Sequence, residues 1–455
     1  MHAQGTFLAV AAGSRAAVMT LLEGQPCHLK PGDLLAAAAS RITAIAWLSV
    51  VARGPQHSSA RESLANYIMV GTEAGHFMVY FMDGVVGVQK KLHDGPILNI
   101  RSRPLCQGSS DTGSQAGQGN ALSSGGEDKE DVTVVFSDTL VSIQVPELLA
   151  LLKFQEASPG QMLSPAFSLN HAKYGQSKKM GSRCDGLCLG PQCPSLKGLL
   201  TQRPDKDIHP VGIVAGGHAP AIAFLEASGD AGGSGWGVVK SLASTVTFGI
   251  PGKAWSAGKK AWRKGASWWS QQEADDKRMV PTMPTKLRRS LRDDSREVSS
   301  LAVAPGCRLA ASTDNRGRVV LIELAKMVVV RMWKGYREAQ CAWLTCTDHA
   351  SNATDMRGGS TAASAKAAAS PLLCLAICAP RRDVIEVWPM RYGDRLCSLP
   401  VGPGPLLLQV TPPMGLKDRA WPVDCYCLEV DSGHLWSVSD RVSALLRRSR
   451  ANKGA

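Results

Sequence analysis

Long apolar runs are missing from this sequence. No window approaches the roughly 20 uninterrupted apolar residues that a helical membrane span needs, so no such span is expected. The opening residues have an apolar centre but no basic leader, and Gly13-Ser14-Arg15 breaks that centre, so a secretory signal is not expected either. Evenly paired cysteines are lacking too. The 13 present are sparse, and Cys374, Cys378, Cys425 and Cys427 lie inside apolar runs, as small buried hydrophobes do. That pattern points to a reducing compartment and away from a disulfide framework.

Catalytic signatures are equally scarce. There is no Gly-x-Ser-x-Gly elbow and no His-Glu-x-x-His pair. The nearest phosphate-loop string runs from Gly252 to Lys260. It has one residue too many between its glycines, no Ser or Thr after the lysine, and bulky Trp255 where backbone would have to wrap phosphate. Cys184, Cys188 and Cys193 form a cluster flanked by His171 and His209. Its spacing is not that of two cysteine pairs and no fourth ligand is obvious, so it reads as incidental thiols in an irregular loop rather than a zinc site. No metal and no cofactor are expected.

What the chain does contain is strand pattern. Hydrophobic residues make up 44% of its 455 residues, as in an ordinary globular protein. Ile42–Val51 is followed by Tyr67–Val70, a turn from Gly71 to Gly75, an alternating His76–Met82, the hairpin signal Asp83-Gly84 and Val85–Lys90. Similar units recur at Val132–Val145, Val211–Leu225, Ser300–Glu323, Leu372–Trp388 and Cys425–Val438. Thr6–Ala12 and Ala16–Leu22 read as a first strand pair around the Gly-Ser-Arg turn. Regularly spaced strand pairs favour an all-β, β-propeller-like (WD-repeat-like) domain over residues 1–440, although no Trp-Asp dipeptide recurs at fixed phase. Closure is expected between the strand near Thr6–Ala12 and one near Cys425–Val438, because a closed ring leaves no free sheet edge there.

Three inserts interrupt the array: 107–131, rich in Gly, Ser and Gln; 229–294; and 352–370, rich in Ala and Ser. The second holds five of the chain's eleven tryptophans. Trp255, Trp262 and Trp269 fall seven apart, near one face of a helix, among many lysines and arginines. Two readings follow. One is a helix packed across the propeller. The other is an interfacial helix whose Trp255, Lys259, Lys260, Trp262 and Trp269 touch anionic membrane. The net charge of +13 is compatible with nucleic acid, anionic lipid or an acidic protein. Residues 441–455 read as a frayed basic tail.

The segment Arg331-Met332-Trp333-Lys334-Gly335-Tyr336-Arg337, followed by Ala339 and Gln340, narrows the choice. So do Met69–Gly75, Val79-Tyr80, Asp83-Gly84, Gly95–Leu98, Ala379-Pro380-Arg381-Arg382 and Glu386-Val387-Trp388. With these strings the chain resembles the N-terminal domain of the regulatory, non-catalytic subunit of the Rab3 GTPase-activating protein complex. The resemblance implies a scaffold without its own catalytic site, and partners that are the catalytic subunit of that complex and Rab GTPases. It further implies GTPase activation or nucleotide exchange through that partner, and a cytoplasmic location peripheral to endoplasmic-reticulum or secretory membranes. No nucleic acid is expected. Family members carry a large further C-terminal region. Arg331, Trp333, Lys334, Gly335, Tyr336, Arg337, Arg381 and Arg382 become the partner-binding candidates. Arginine fingers serve GTPase activation, but Arg331 and Arg337 flank Trp333 and Tyr336, where stacking is the expected use. The rival class is a propeller interaction scaffold outside Rab regulation.

Overall fold

The computed structural model describes residues 7–20, 38, 40–52, 63–103, 130–157, 169–176, 180–191, 211–227, 280–293, 295–324, 326–347, 371–390, 393–415 and 423–451. Those residues form a ring of antiparallel blades, each a meander of consecutive strands. A hairpin, β1 (Phe7–Ala12) and β2 (Arg15–Thr20), comes first. Blade 1 is β3 (Ile42–Ala52), β4 (Ser63–Thr72), β5 (His76–Tyr80) and β6 (Val86–Lys91). Blade 2 is β7 (Asn99–Arg103), β8 (Asp131–Val135), β9 (Thr139–Gln144) and β10 (His171–Gly175), with helix α1 (Val145–Ala157) between its last two strands. Blade 3 is β11 (Arg183–Pro191), β12 (Val211–Gly217), β13 (Ile222–Ala227) and β14 (Thr282–Leu291). Blade 4 is β15 (Val298–Val303), β16 (Leu309–Asp314), β17 (Arg318–Glu323) and β18 (Val328–Lys334). Blade 5 is β19 (Gln340–Thr347), β20 (Pro371–Ala379), β21 (Val384–Pro389) and β22 (Cys397–Pro400). Blade 6 has β23 (Pro405–Gln409), β24 (Cys425–Glu429) and β25 (His434–Ser437), and leads into helix α2 (Val438–Ala451). The all-β, propeller-like reading of the sequence holds.

The core is divided into layers, one between each two consecutive blades from 1 to 6 and one between blade 1 and the β1–β2 hairpin. Side chains alternate across a strand, so a central strand of a blade serves two layers at once. In β17, Val319 and Leu321 pack toward blade 5 while Val320 and Ile322 pack toward blade 3. The same division makes Ala376 and Cys378 face blade 6 while Leu375 and Ile377 face blade 4. Burial on both faces is why these strands read as unbroken apolar runs. Cys374, Cys378, Cys425 and Cys427 all sit in the blade 5–6 layer, and burial pushes the Cys378 and Cys427 thiols up to about 12.

First strands of successive blades line a central cavity of about 270 Å³, where Trp47, Ile100, Leu187, Val303, Trp343 and Gln409 meet. Polar groups pin these strands together. Asp185, 2% exposed, accepts Arg101 Nε at 2.8 Å, Asn99 Nδ2 at 3.1 Å and the Leu301 N–H at 2.9 Å, joining blades 2, 3 and 4 through one carboxylate. Gln409 donates to the carbonyls of Trp343 (3.1 Å) and Asp424 (3.0 Å) and accepts the Trp343 N–H (2.7 Å).

Four sequence expectations need correction. First, the strand near Thr6–Ala12 does not pair with Cys425–Val438: β1 pairs with β2, and that hairpin packs through Ala16 and Val18 on the face of blade 1 turned away from blade 2, with Ala9 reaching the central cavity described above. The ring is stitched instead by the segment after β23, where the Met414 N–H donates to Ser49 O (2.7 Å) and the Val51 N–H to Met414 O (2.9 Å). Second, Cys184 and Cys188 lie on strand β11, not in an irregular loop. A register shift at Cys184 turns its thiol to the Val298 carbonyl, whereas Cys188 faces blade 2, so the two diverge. Cys193 and His209 lie outside the described residues.

Third, the far end of the insert read as 229–294 contains β14, which pairs antiparallel with β13 and parallel with β10. Its inward Met283 and Leu287 supply the layer contact, and alternating outward basic residues disguised it. Fourth, most of the stretch read as a basic tail belongs to α2. Val438, Val442 and Leu446, four apart, form its packed stripe on the blade 5–6 layer. Among the described residues, no helix is long and apolar enough to cross a membrane.

Candidate partner-binding surface

Blade 4 ends in β18, and the turn after it carries the chain into blade 5. Gly335 sits in that turn at φ 85°, a left-handed conformation that a side chain would strain. Gly317, in the β16–β17 turn, has φ 80°, and a Cβ there would lie 2.9 Å from the Arg337 side chain and 3.0 Å from its nitrogen. The missing Cβ lets the two turns touch, and the Tyr336 N–H donates to Gly317 O at 2.9 Å. Asp314 fixes the first turn by accepting the N–H groups of Arg316 (3.0 Å) and Arg318 (2.9 Å) and both Arg318 Nε (2.9 Å) and Arg296 Nη1 (3.1 Å). Burial alone would raise the Asp314 carboxyl. The Arg318 and Arg316 hydrogen bonds and the Arg296 charge outweigh it and hold the group below its ordinary value.

Around these turns, aromatic rings and charges interleave. Trp333 is buried, and its ring lies 5.7 Å from that of Trp388. Arg331 is wedged against both, with its guanidinium carbon 4.9 Å from the Trp333 centroid and 4.5 Å from that of Trp388. Arg382 lies over the Tyr336 ring at 4.8 Å. The centre of the cluster is Glu386, 5% exposed, which accepts Tyr336 Oη at 2.6 Å, Trp388 Nε1 at 3.3 Å and Arg395 Nη1 at 2.9 Å. Burial, and then the Glu386 carboxylate, push the Tyr336 phenol up to about 12, so it stays a donor throughout the neutral range. Arg381, in a 3₁₀ turn over Pro380–Arg382, bonds Glu338 at the surface.

All eight partner-binding candidates therefore converge on one rim between blades 4 and 5. Trp333 and Tyr336 are its buried anchors, while Lys334, Arg337, Arg381 and Arg382 are exposed. Glu386, Trp388, Arg395 and Glu338 complete it; none was a partner-binding candidate, although Glu386 and Trp388 stand in the strings that carry the family resemblance. The signal for the first two was there: Glu386 and Trp388 are two apart on one strand and share its face toward blade 4. Arg395 and Glu338 come from neighbouring turns that only the fold brings close. The membrane-contact candidates Trp255, Lys259, Lys260, Trp262 and Trp269 lie outside the described residues. Among the described residues, no group of three or more side chains could hold a metal ion.

Residues 1–408, which contain this entire rim, match the family described as Rab3 GTPase-activating protein regulatory subunit N-terminus. The chain belongs to that family. The Rab3 GTPase-activating protein regulatory subunit of Caenorhabditis elegans is 31% identical over 110 residues, which is 24% of this chain and 7% of that protein. The chain thus aligns with a small part of a much longer relative. The crystal structure of the Saccharomyces cerevisiae Sqt1 aligns with 96% of this chain and 82% of its own at 11% identity and a TM-score of 0.42.

Proposed function

We propose that this chain is the non-catalytic scaffold of a Rab GTPase regulator and that the blade 4–5 rim is the face it offers to the catalytic subunit. The observation that carries this reading is how the rim's arginines are used. Arg331 is held between two indoles, Arg382 covers Tyr336, and Arg381 is paired with Glu338. A finger that stabilises a phosphoryl-transfer transition state must be free to enter a closed site on the GTPase. Guanidiniums committed to rings and carboxylates suit a preorganised interface, where Arg, Trp and Tyr dominate binding energy. Catalysis of GTP hydrolysis, and any nucleotide exchange, then resides in the partner. The chain works in the cytoplasm, peripheral to endoplasmic-reticulum or secretory membranes, with the composition of the Trp255–Trp269 segment favouring anionic lipid.

The test is co-expression with the catalytic subunit, followed by affinity capture and single-turnover hydrolysis of Rab-bound GTP. Capture of the catalytic subunit by the wild-type chain, its loss on Arg381→Glu/Arg382→Glu, and no hydrolysis by the purified chain alone are the expected results. Hydrolysis by the chain alone that Arg331→Ala or Arg381→Ala abolishes would overturn the scaffold reading.

A further inference from the structure

The outermost strand of a blade presents unpaired N–H and C=O groups, and proteins normally cover or blunt such edges. Most outer strands here are managed in that way. In blade 1, β6 lies beneath α1, and a Cβ on Gly87 would meet Leu152 of that helix. The outer strands of blades 2 and 3, β10 and β14, pair with each other. In blade 5, β22 has four residues, ends in Pro400 and packs against α2. The last strand of blade 6, β25, also has four residues and runs directly into α2.

Blade 4 is different. Its outer strand, β18, has seven residues and pairs with β17 alone among the described residues. Val328 (50% exposed), Val330 (57%) and Met332 (40%) are three of the eight large apolar side chains exposed among the described residues. A register shift leaves Val330 as an extra residue, between the Ile322–Val329 and Leu321–Arg331 pairs. That bulge blunts the first half of the edge. Beyond it the ladder is regular from Arg331 to Lys334, opposite Leu321 to Arg318. Exposed Lys334, Arg337, Arg381 and Arg382 lie at the end of β18 and in the turns beside it, against two exposed carboxylates there, Glu338 and Asp383. An apolar strip on an open edge beside a cationic cluster is complementary to an extended segment carrying both apolar and acidic residues.

We propose that the Arg331–Lys334 edge docks an extended, acidic segment of a partner protein, which adds to blade 4 as a fifth strand. An apolar side chain of that segment meets Met332 on the face toward blade 3, its carboxylates point to the opposite face, where Arg331 and Arg382 lie, and Lys334 and Arg337 add positive charge at the end of the edge. The identity of the partner as the catalytic subunit rests on the function proposed above; the edge itself does not.

The probe is a fluorescein-labelled eight-residue peptide alternating valine and glutamate. Its control is the same peptide N-methylated at alternate amides, which cannot complete a ladder. Saturable binding of the first and not the second is expected, with slowed amide exchange at Arg331–Lys334 and weakening as salt screens the cations. Val330→Lys/Met332→Lys and Lys334→Glu/Arg337→Glu should each bind at least about tenfold more weakly. Val85→Lys, at a 56% exposed site on blade 1, should bind as wild type. Equal binding of the N-methylated peptide, absence of binding, or no effect of the edge substitutions would overturn the proposal. Self-association of the chain that Val330→Lys/Met332→Lys abolishes would give the edge to a second copy and overturn it as well. Capture of the catalytic subunit separates the two readings. Retention by both wild type and Val330→Lys/Met332→Lys overturns the edge as its docking site. Retention by neither, with the peptide bound as expected, overturns the catalytic-subunit reading and leaves the edge standing.

Discussion

A single buried carboxylate, Glu386, sets the chemistry of the rim, and its partners define what each substitution does. Replacing Tyr336 by Phe removes the 2.6 Å bond and leaves the carboxylate with Trp388 and Arg395. Hydrogen bonds to charged groups contribute roughly 1.5–3 kcal/mol, so Tyr336→Phe should lower unfolding stability by about that amount in urea titrations. An unchanged midpoint would mean that Trp388 and Arg395 satisfy Glu386 without the phenol. His171 offers a pH test. Burial holds its imidazole down to about 4 from an ordinary 6.5, outweighing the bond to Leu169 O. Between those values the unfolded chain takes up a proton that the folded chain refuses. The contribution of the neutral ring is therefore complete above about pH 6.5 and is lost as pH falls toward 4. Urea midpoints at about pH 7.5 and about pH 5 should fall less in His171→Gln than in wild type. Equal falls would place the acid sensitivity elsewhere.

At the scale of the element, legibility followed burial. Strands such as β17 and β20, buried on both faces, announced themselves as apolar runs, and the β5–β6 hairpin by Asp83-Gly84. Elements that bury one narrow stripe were harder to see. In β14 the inward Met283 and Leu287 are separated by Lys286 and flanked by Arg288 and Arg289, so the strand merged with the basic insert before it. In α2 the arginines hide a stripe of Val438, Val442 and Leu446, and Arg441 lies 3.6 Å from the Trp436 ring centroid. A tail would tolerate any substitution there. The packed helix should not: Val442 is fully buried. Removing two methyl groups and leaving a void, Val442→Ala should cost about 2 kcal/mol. The exposed neighbour Arg448→Ala should cost little. Thermal or urea unfolding of the pair decides, and equal stability of both variants would return the segment to a frayed tail.

The whole molecule closes its ring differently from the sequence expectation, and the difference has a physical origin. Hydrophobic pattern shows that a strand needs a partner but not which one. Pairing of Phe7–Ala12 with its own neighbour across the Gly13 turn involves almost no loop to close, whereas pairing with blade 6 spans the chain. The seam is instead held by Met414 against Ser49 and Val51, and by Gly415, whose N–H donates to both oxygens of Glu130 at 2.8 and 2.9 Å. The hairpin is thereby released from closure and serves as a cover. Beneath it lie Trp47, Ile68, Val70, Met78 and Tyr80, each no more than 3% exposed. Uncovering a large apolar side chain costs roughly 1.5–3 kcal/mol when exposure is complete, and a contiguous patch of five invites association. Deleting Met1–Leu22 should therefore leave the seam and the strand content of the six blades intact, as read by circular dichroism, but give a chain that aggregates or self-associates on size exclusion. Closure through β1 would predict the opposite order of events, with strand signal and cooperativity lost together. A monomeric deletion that unfolds at the wild-type urea midpoint would show that the hairpin covers nothing the ring needs covered.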